Sequence, residues 1–218
     1  MLMNAGVTDT TLRVNVIAAD LRDAADAERA VKTVERDFGP VDVLVNSAGA
    51  AKRMPAAELT AASWHDAMQA KFFTYIHVIN PLVKKMGERG RGAVVNVIGS
   101  GGKVAAVTHL AGGSANAALM LASAGFAAAY AGKGVRVNAV NPGLTLTERL
   151  HEGMQAEARQ QGISMEEALT RAKATRPLGR IAEPSEIADA VVYLASNRAS
   201  YITGAVVAMD GAVTPMVV

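Results

Sequence analysis

The polar side chain most suggestive of a ligand site follows directly on an apolar run. Residues 41–45 are rich in β-branched side chains, which indicates a strand buried on both faces of a parallel sheet. Asn46, Ser47, Ala48 and Gly49 form the turn that follows. Because ligands of open parallel sheets bind beyond the carboxyl ends of the strands, we predict that this turn lines a ligand site. A structural role is the alternative, since asparagine also suits a strand-end turn by bonding nearby backbone.

A glycine-rich loop over residues 99–113 carries further side chains that could take part in chemistry. His109 titrates near neutral pH and could act as an acid, although a solvent-facing loop histidine is the favoured interpretation. Lys103 and Ser114 lie in or beside the same loop. Residues 99–103 lack the third glycine of a dinucleotide loop and the hydroxyl residue of a P-loop, so they do not predict a phosphate site. No His, Asp or Glu cluster of the sequence has metal-ligand spacing.

The composition is that of a globular protein. The 218 residues, 50% hydrophobic and 19% charged, suffice for one α/β domain with a large core. The net charge of +2 is not clustered, which argues against a nucleic acid partner. The absence of cysteine excludes disulfides and suits a cytoplasmic location. We expect no apolar run that spans a bilayer and no signal peptide.

Strands alternate with helices along the chain, which predicts right-handed crossovers and a parallel sheet in one domain over residues 1–218. After a polar lead-in, residues 1–11, strands are predicted at residues 12–19, 41–45, 93–98, 135–140 and 205–209. Helices are predicted at residues 24–38, from a Thr60 cap through residue 83, at 115–131, within a polar substrate-lid insert over 148–176, and at 185–196. A capping box at Ser164 and a first-turn proline, Pro184, mark two helix starts.

Several of these motifs together form a family pattern. Residues 46–49 resemble the Asn-Asn-Ala-Gly turn of the short-chain dehydrogenase/reductase (SDR) family, with Ser47 in place of the second asparagine. Residues 134–138 and 141–143 are similar to the same family, and the most specific block, residues 176–211, resembles 3-oxoacyl-acyl-carrier-protein reductases. The resemblance covers almost the whole chain. It implies a Rossmann-like α/β fold, a parallel sheet flanked by helices.

The resemblance also implies an activity and a set of cofactor contacts. Family members bind NAD or NADP and transfer a hydride between the nicotinamide and a carbonyl or alcohol. Two of the matching residues would flank the adenine, three would line the cofactor, and four would lie at the nicotinamide end. In that order they are Asp20, Leu21, Asn46, Ala48, Gly49, Pro142, Gly143, Thr145 and Thr147.

The sequence departs from the family pattern at the cofactor phosphates and at the proton donor. The chain begins at what resembles the third family strand, so we expect the first two strands and the phosphate-binding turn, about 40 residues, to be missing. The family Tyr-x-x-x-Lys pair falls on Gly113 and Ala117. Neither side chain can donate a proton. We therefore expect weak turnover or none, and no tight binding of the cofactor.

Two other catalytic positions of the family fall on Ser100 and Lys71. Ser100 matches the serine that bonds the substrate carbonyl, with an ordinary turn residue as the alternative. Lys71 replaces the asparagine that holds the proton-relay water. It is interpreted first as a helix lysine that snorkels to solvent and second as an electrostatic contact near the carbonyl pocket. The candidate catalytic residues are thus Ser100 and, after it, Lys71 and His109.

The missing strands also bear on the sheet and on assembly. Without them the strand at residues 41–45 would expose an apolar edge, so we expect the 12–19 strand to pair with it, in the order 3-4-5-6-7 of the family numbering. The helices at residues 61–86 and 115–131 match the subunit contact of many family members, which implies a homodimer or homotetramer. If the chain is not an oxidoreductase, we expect a non-catalytic partner subunit or a degenerate homologue.

Overall fold

The architecture is a four-stranded parallel sheet with helices on both faces. The computed structural model describes residues 13–49 and 51–215. The strands are β1 (Val43–Asn46), β2 (Gly92–Val97), β3 (Val135–Pro142) and β4 (Val206–Met209). The helices are α1 (Ala24–Phe38), α2 (Ala61–Ala67), α3 (Thr74–Arg89), α4 (Leu110–Tyr130), α5 (Glu148–Gln161), α6 (Met165–Ala174) and α7 (Pro184–Ala195). A π-helical turn, Met68–Phe73, joins α2 to α3, and short 3₁₀ turns lie at Ala56–Glu58, Ser100–Gly102, Ala131–Lys133 and Asn197–Ala199.

The strands are neighbours in the order β1-β2-β3-β4, and every pair is parallel. Asn46 of β1 pairs with Asn96 of β2, and Val97 of β2 pairs with Val140 of β3. The carboxyl ends of these strands therefore meet at one edge of the sheet, where parallel sheets bind ligands. The predicted α/β fold with a helix-flanked parallel sheet is confirmed.

The predicted first strand does not form in the part of it that the structure describes. Residues 13–19 belong to no strand, and Val14 and Val16 are 66% and 76% exposed. Leu12 and the lead-in over residues 1–11 lie outside the described residues. A strand needs a neighbour for its backbone N–H and C=O groups, and among the described residues β1 pairs with β2 alone. The observed order corresponds to 4-5-6-7 rather than the expected 3-4-5-6-7, and Val43 and Val45 of β1 stay 44% and 45% exposed.

One face of α3 supplies the largest buried side chains of the core. Tyr75, Ile79, Val83 and Met86 recur every three or four residues and are at most 1% exposed. Full burial of an aliphatic side chain of this size contributes about 1.5–3 kcal/mol. The other face of the sheet is covered by α7, whose Ile187, Val191 and Leu194 form a cluster with Val95 and Val140.

The α4 helix packs on the same face of the sheet as α3. Its residues Ala115 and Leu119 are fully buried, and Leu119 belongs to the α3 core cluster. By length and composition alone, Leu110–Lys133 is apolar enough to cross a membrane, which differs from the expectation that the chain has no such run. In the structure the buried side chains make α4 a core helix, while its outer face exposes Leu121.

The predicted helix starts are confirmed at three positions. Thr60 Oγ1 accepts a hydrogen bond from Ser63 N at 3.2 Å, and Ser164 Oγ accepts one from Glu167 N at 3.0 Å. Such caps are worth about 1 kcal/mol each. Pro184 is the first residue of α7, where its missing N–H costs nothing. The polar insert over residues 148–176 contains α5 and α6, the second of which starts at the predicted cap.

Candidate active site

The side chain of Asn46 points into the core at the carboxyl end of β1. It is 6% exposed, and its Nδ2 donates to Asn96 Oδ1 at 2.9 Å. Asn96 Nδ2 in turn donates to Ser123 Oγ at 2.9 Å, and Ser123 Oγ donates to the carbonyl oxygen of Leu119 at 2.7 Å. These bonds join β1, β2 and α4. They support the structural interpretation of Asn46, and its contact with a cofactor stays a prediction.

Gly49 brings the turn after β1 against the π-helical turn. Its φ is +87°, and a side-chain carbon at this position would overlap the carbonyl oxygen of Ala70. Glycine is the residue that tolerates both conditions. Gly49 also lines a cavity of about 90 Å³, which we call the Lys71 cavity. Its lining includes Gly49, Lys71, His109, Gly112 and Asn116.

Lys71 does not snorkel to solvent, contrary to the first interpretation of its sequence position. It is 8% exposed, and its Nζ donates to Tyr75 Oη at 3.1 Å and to the carbonyl oxygen of Val97 at 3.3 Å. Tyr75 Oη donates to the same carbonyl oxygen at 2.6 Å. Burial raises the pKa of the Tyr75 hydroxyl far above its ordinary value, which makes it a weaker acid than an ordinary tyrosine. Two catalytic candidates, Lys71 and His109, thus share one cavity.

Ser100 is separated from these two residues. It begins the Ser100–Gly102 turn, and its carbonyl oxygen accepts from Lys103 N at 3.0 Å. Ser100 lines a second cavity of about 20 Å³ together with Asn141 and Asp210. That volume is about the room needed by one water molecule. The structure therefore does not bring the third catalytic candidate to the Lys71 cavity.

The Ser100–Gly102 turn lies directly on α4, at the positions on which the family tyrosine and lysine are predicted to fall. A Cβ atom added to Gly113 would lie 2.6 Å from the carbonyl oxygen of Gly101. A Cβ atom added to Gly102 would lie 2.7 Å from the backbone nitrogen of Ala117. Both separations are shorter than real Cβ contacts. The turn can approach so closely because neither Gly113 nor Gly102 carries a side chain.

The predicted adenine contacts precede α1. The carboxylate of Asp20 forms an ion pair with Arg22 at 3.1 Å, and this hydrogen-bonded guanidinium holds the pKa of the Asp20 carboxyl below its usual value. The carbonyl oxygen of Leu21 lies 2.9 Å from Nδ1 of His77 on α3. The segment is therefore attached to the helix that starts beside Lys71. Its contact with adenine stays a prediction.

The remaining cofactor candidates follow β1 and β3 at the same edge of the sheet. Gly143 N donates to the carbonyl oxygen of Met209 at 3.1 Å, which fixes the end of β3 to β4. Thr147 is the N-cap of α5, because its Oγ1 accepts from Leu150 N at 3.3 Å. These contacts are structural, and a nicotinamide contact is not tested by them. The candidates at this edge are Asn46, Ala48, Gly49, Pro142, Gly143, Thr145 and Thr147.

Buried asparagines are the polar residues that sequence reasoning missed. Each asparagine lies between apolar neighbours in the sequence, and a buried amide needs hydrogen-bond partners. An asparagine inside an apolar segment was therefore a signal of a buried hydrogen bond. Asn138 shows such a role: its Nδ2 donates to the carbonyl oxygen of Ile202 at 2.8 Å, and its Oδ1 accepts from Ala205 N at 3.1 Å. The missed residues are Asn96, Asn116, Asn138 and Asn141.

The comparison with known sequences decides the family. The family model described as Enoyl-(Acyl carrier protein) reductase matches residues 4–214. The chain belongs to the short-chain dehydrogenase/reductase family. This SDR is 35% identical over 197 residues to D-threitol dehydrogenase of Mycolicibacterium smegmatis. The matched region covers 90% of this chain and 72% of that relative.

Two further relatives extend the comparison to function and structure. This SDR is 32% identical to a protein named inactive 2-(S)-hydroxypropyl-CoM dehydrogenase 2 of Xanthobacter autotrophicus, over 91% of the chain and 84% of that relative. A crystal structure of L-sorbose reductase from Gluconobacter frateurii, complexed with NADPH and L-sorbose, superposes with a TM-score of 0.88 at 26% identity. The match covers 94% of this chain and 79% of the reductase. The relatives are thus dehydrogenases and reductases of small molecules.

The glycine turn at residues 99–103 does not offer a phosphate cradle to the dinucleotide that the family implies. The backbone of the glycine turn bonds to itself, because Gly102 N donates to Gly99 O at 3.4 Å and Lys103 N to Ser100 O at 3.0 Å. Within residues 13–49 and 51–215 we find no cradle for the pyrophosphate, so no hydride step can be derived from them.

Proposed function

We propose that these 218 residues form an SDR-family oxidoreductase whose hydride transfer between NAD or NADP and a carbonyl or alcohol is weak or absent. The observation that supports this is the close packing at Gly113, the predicted tyrosine position, where an added Cβ atom would meet the carbonyl oxygen of Gly101 at 2.6 Å. A large side chain there would require the turn to move. A positioned acid contributes about 10²–10⁴-fold to such reactions, so its loss sets the size of the expected deficit.

The alternative within this proposal is a non-catalytic partner subunit or a degenerate homologue, and for the chain itself we propose a homodimer or homotetramer. Two large apolar side chains on the helices of the predicted contact support it: Leu121 of α4 is 77% exposed and Trp64 of α2 is 40% exposed. Exposed apolar surface on helices is typical of protein contacts. Light scattering of the purified protein measures the assembly, and a monomer at all concentrations would contradict the subunit. A cytoplasmic location, which suits a chain without cysteine, is part of the same proposal.

A second candidate function is hydride transfer with a different acid. Lys71 and His109 line one cavity with Gly49, a residue of the predicted cofactor turn. A general acid must come within hydrogen-bond reach of the oxygen that it protonates, and a shared cavity is the first condition for this. Either residue could protonate the alkoxide if the cofactor binds.

The proposal is tested by cofactor binding and turnover of the purified chain. Calorimetric titration with NADH and NADPH measures binding. Nicotinamide absorbance follows oxidation of D-threitol with NAD or NADP, and reduction of L-sorbose with NADH or NADPH, the two compounds named in the relatives. We expect no saturable binding and a rate at least about a hundredfold below that of an active family reductase, as expected for a missing acid. Tight binding with steady cofactor consumption would contradict the proposal.

A matched pair of variants separates the two candidates if turnover is found. His109→Asn removes the titratable ring from the cavity, whereas His65→Asn removes one from the exposed surface of α2. Loss of turnover in the first variant alone would establish His109 as the acid. Equal rates in both variants, with loss in Lys71→Met, would assign the role to Lys71.

A further inference from the structure

A cavity beside β4 shares no lining residue with the Lys71 cavity. It lies between β4, the first half of α7 and the segment over residues 176–182, and none of its lining residues is a catalytic or cofactor candidate. Its volume is about 380 Å³, well above the roughly 150 Å³ of a cavity that holds benzene. We call it the Arg176 cavity, after a charged residue on its wall. It has room for a small organic molecule.

Most of the wall of the Arg176 cavity is aliphatic. Besides alanines, the apolar residues that line it are Leu144, Leu178, Ile187, Val207 and Met209. Leu178 is 64% exposed and Val207 is 37% exposed, so part of this apolar surface is open to water. Removing apolar surface from water is favourable, and a hydrocarbon chain in the cavity would do this. The wall therefore favours a ligand with an aliphatic part.

Four charged side chains also line the cavity, and three of them have hydrogen-bond partners that satisfy their charge. Arg180 Nη1 and Nη2 donate to the two carboxylate oxygens of Glu186, at 2.7 Å each. The carboxylate oxygens of Asp210 accept from two backbone N–H groups of the turn that follows it, at 3.1 Å each. These three side chains are thus satisfied without a ligand, and the fourth is Arg176.

The guanidinium of Arg176 lacks an acceptor for a buried N–H group. Its Nε is buried and has no hydrogen-bond partner among the residues that the structure describes, and its Nη1 donates to the neighbouring Thr175 Oγ1 at 3.3 Å. A buried donor without an acceptor is costly, and native structures satisfy nearly all such groups with protein, water or a ligand. A carboxylate fits best, because it accepts from two N–H groups of one guanidinium at once.

We propose that the Arg176 cavity binds an aliphatic carboxylate of about six to eight carbons, such as octanoate. The carboxylate accepts from the guanidinium of Arg176, and the chain packs against Leu178, Ile187 and Met209. The chain length follows from the volume, because the six carbons of benzene already fit a cavity of about 150 Å³. Binding makes and breaks no bond and needs no dinucleotide. The inference is therefore independent of whether the chain transfers hydride.

The first test uses a series of ligands on the unmodified protein. Backbone amide NMR shifts are followed during titration with octanoate, with octanamide, which lacks the charge, and with butyrate, which lacks half of the chain. Ionic strength is constant, and octanoate stays below the concentration at which it self-associates. We expect saturable shifts with octanoate at Leu178, Ala190 and Gly211, which line the cavity.

The order of affinities in this series decides the proposal. Binding should be about tenfold weaker for octanamide, because the charge-assisted bonds are lost. It should be about a hundredfold weaker for butyrate, because four fewer methylene groups are buried. Equal affinity for octanoate and octanamide, or no saturable shift at the three residues with octanoate, would overturn the proposal.

The second test assigns the groups on the protein. Arg176→Met should weaken octanoate binding by about tenfold or more and leave octanamide binding within about twofold. Arg198→Met, at an exposed position outside the cavity, is the matched control and should bind octanoate as the unmodified protein does. Unchanged octanoate binding in Arg176→Met would refute the role of the guanidinium.

A further variant keeps the proposal open to refutation if Arg176→Met does not fold, as judged by circular dichroism. Leu178→Glu changes a side chain that is 64% exposed, so the fold should tolerate it. The new carboxylate repels the ligand and replaces part of the apolar wall, so octanoate binding should fall by at least about tenfold. Octanoate binding that is unchanged in Leu178→Glu would show that the ligand does not occupy the Arg176 cavity.

Discussion

Replacing Asn96 by alanine should destabilise the protein more than replacing either of its side-chain partners, Asn46 or Ser123. The Asn96 side chain is fully buried and shared by two hydrogen bonds, one from Asn46 Nδ2 and one to Ser123 Oγ. The substitution removes both bonds and leaves the Asn46 amide without an acceptor. Two bonds at about 1 kcal/mol each, with about 1–3 kcal/mol for the orphaned amide, give a loss of about 3–5 kcal/mol.

The assay is a double-mutant cycle of Asn46→Ala and Asn96→Ala in chemical denaturation. The cycle should show a coupling free energy of about 1 kcal/mol or more, because each variant already removes the bond that the other shares. Thermal unfolding should place Asn96→Ala roughly 6–20 °C below the unmodified protein, at about 2–4 °C per kcal/mol for a chain of this length. Asn197→Ala, at an exposed position, is the control and should stay within about 0.5 kcal/mol.

Additivity of the two substitutions would refute this reasoning. If the free energies of unfolding add within about 0.3 kcal/mol, Asn46 and Asn96 do not share a bond in solution. The amide of Asn46 would then be available to a ligand, and the cofactor contact predicted from the turn motif would regain its support.

Three further predictions concern the rest of the framework. Arg136→Met should cost about 2–3 kcal/mol in chemical denaturation, because the guanidinium donates to three carbonyl oxygens at the end of α7, and no loss would contradict that contact. Gly113→Ala should lower the melting temperature, because its new methyl group would overlap the carbonyl oxygen of Gly101. Gly125→Ala on the same helix meets open space and should raise the free energy of unfolding by up to about 1 kcal/mol. Equal effects of the two substitutions would show that the turn does not close on α4. The hydrogen-bonded Arg180 lowers the pKa of Glu186 from 4.5 to about 2, so its stabilising effect is present above pH 4.5 and is lost as the pH falls towards 2. The stability difference between the unmodified protein and Glu186→Gln should therefore shrink over that window, and a constant difference would contradict the pairing.

Local signals predicted the regular elements of this chain well. The bounds of α1 and the caps at Thr60 and Ser164 agree with the sequence because spacing and capping act within a few residues. The strand predicted at residues 12–19 does not form over its described part, residues 13–19, because a strand depends on distant partners. Its β-branched residues satisfy the local pattern, but pairing depends on a neighbour that the described sheet does not offer.

In the candidate site, too, single residues could be chosen from the sequence, but contacts between distant segments could not be predicted. The family resemblance made Lys71 a candidate and its titratable ring made His109 one, and the structure brings both to one cavity. The partner of Asn46 could not be predicted, since Asn96 lies 50 residues further along the chain. The closure of the Ser100–Gly102 turn on Gly113 depends on two segments that meet only through the fold. Roles in cofactor binding stay predictions for the residues beyond the strand ends.

The free side of β1 has a practical consequence for work with the purified protein. In the described part of the chain, β1 is the last strand of the sheet, with its outer row of N–H and C=O groups unpaired and Val43 and Val45 partly open to water. Such a row can accept a strand from another molecule, and self-association of this kind grows with protein concentration. A lysine in place of Val45 would discourage it. The purified protein would then stay soluble at the higher concentrations that ligand titrations require.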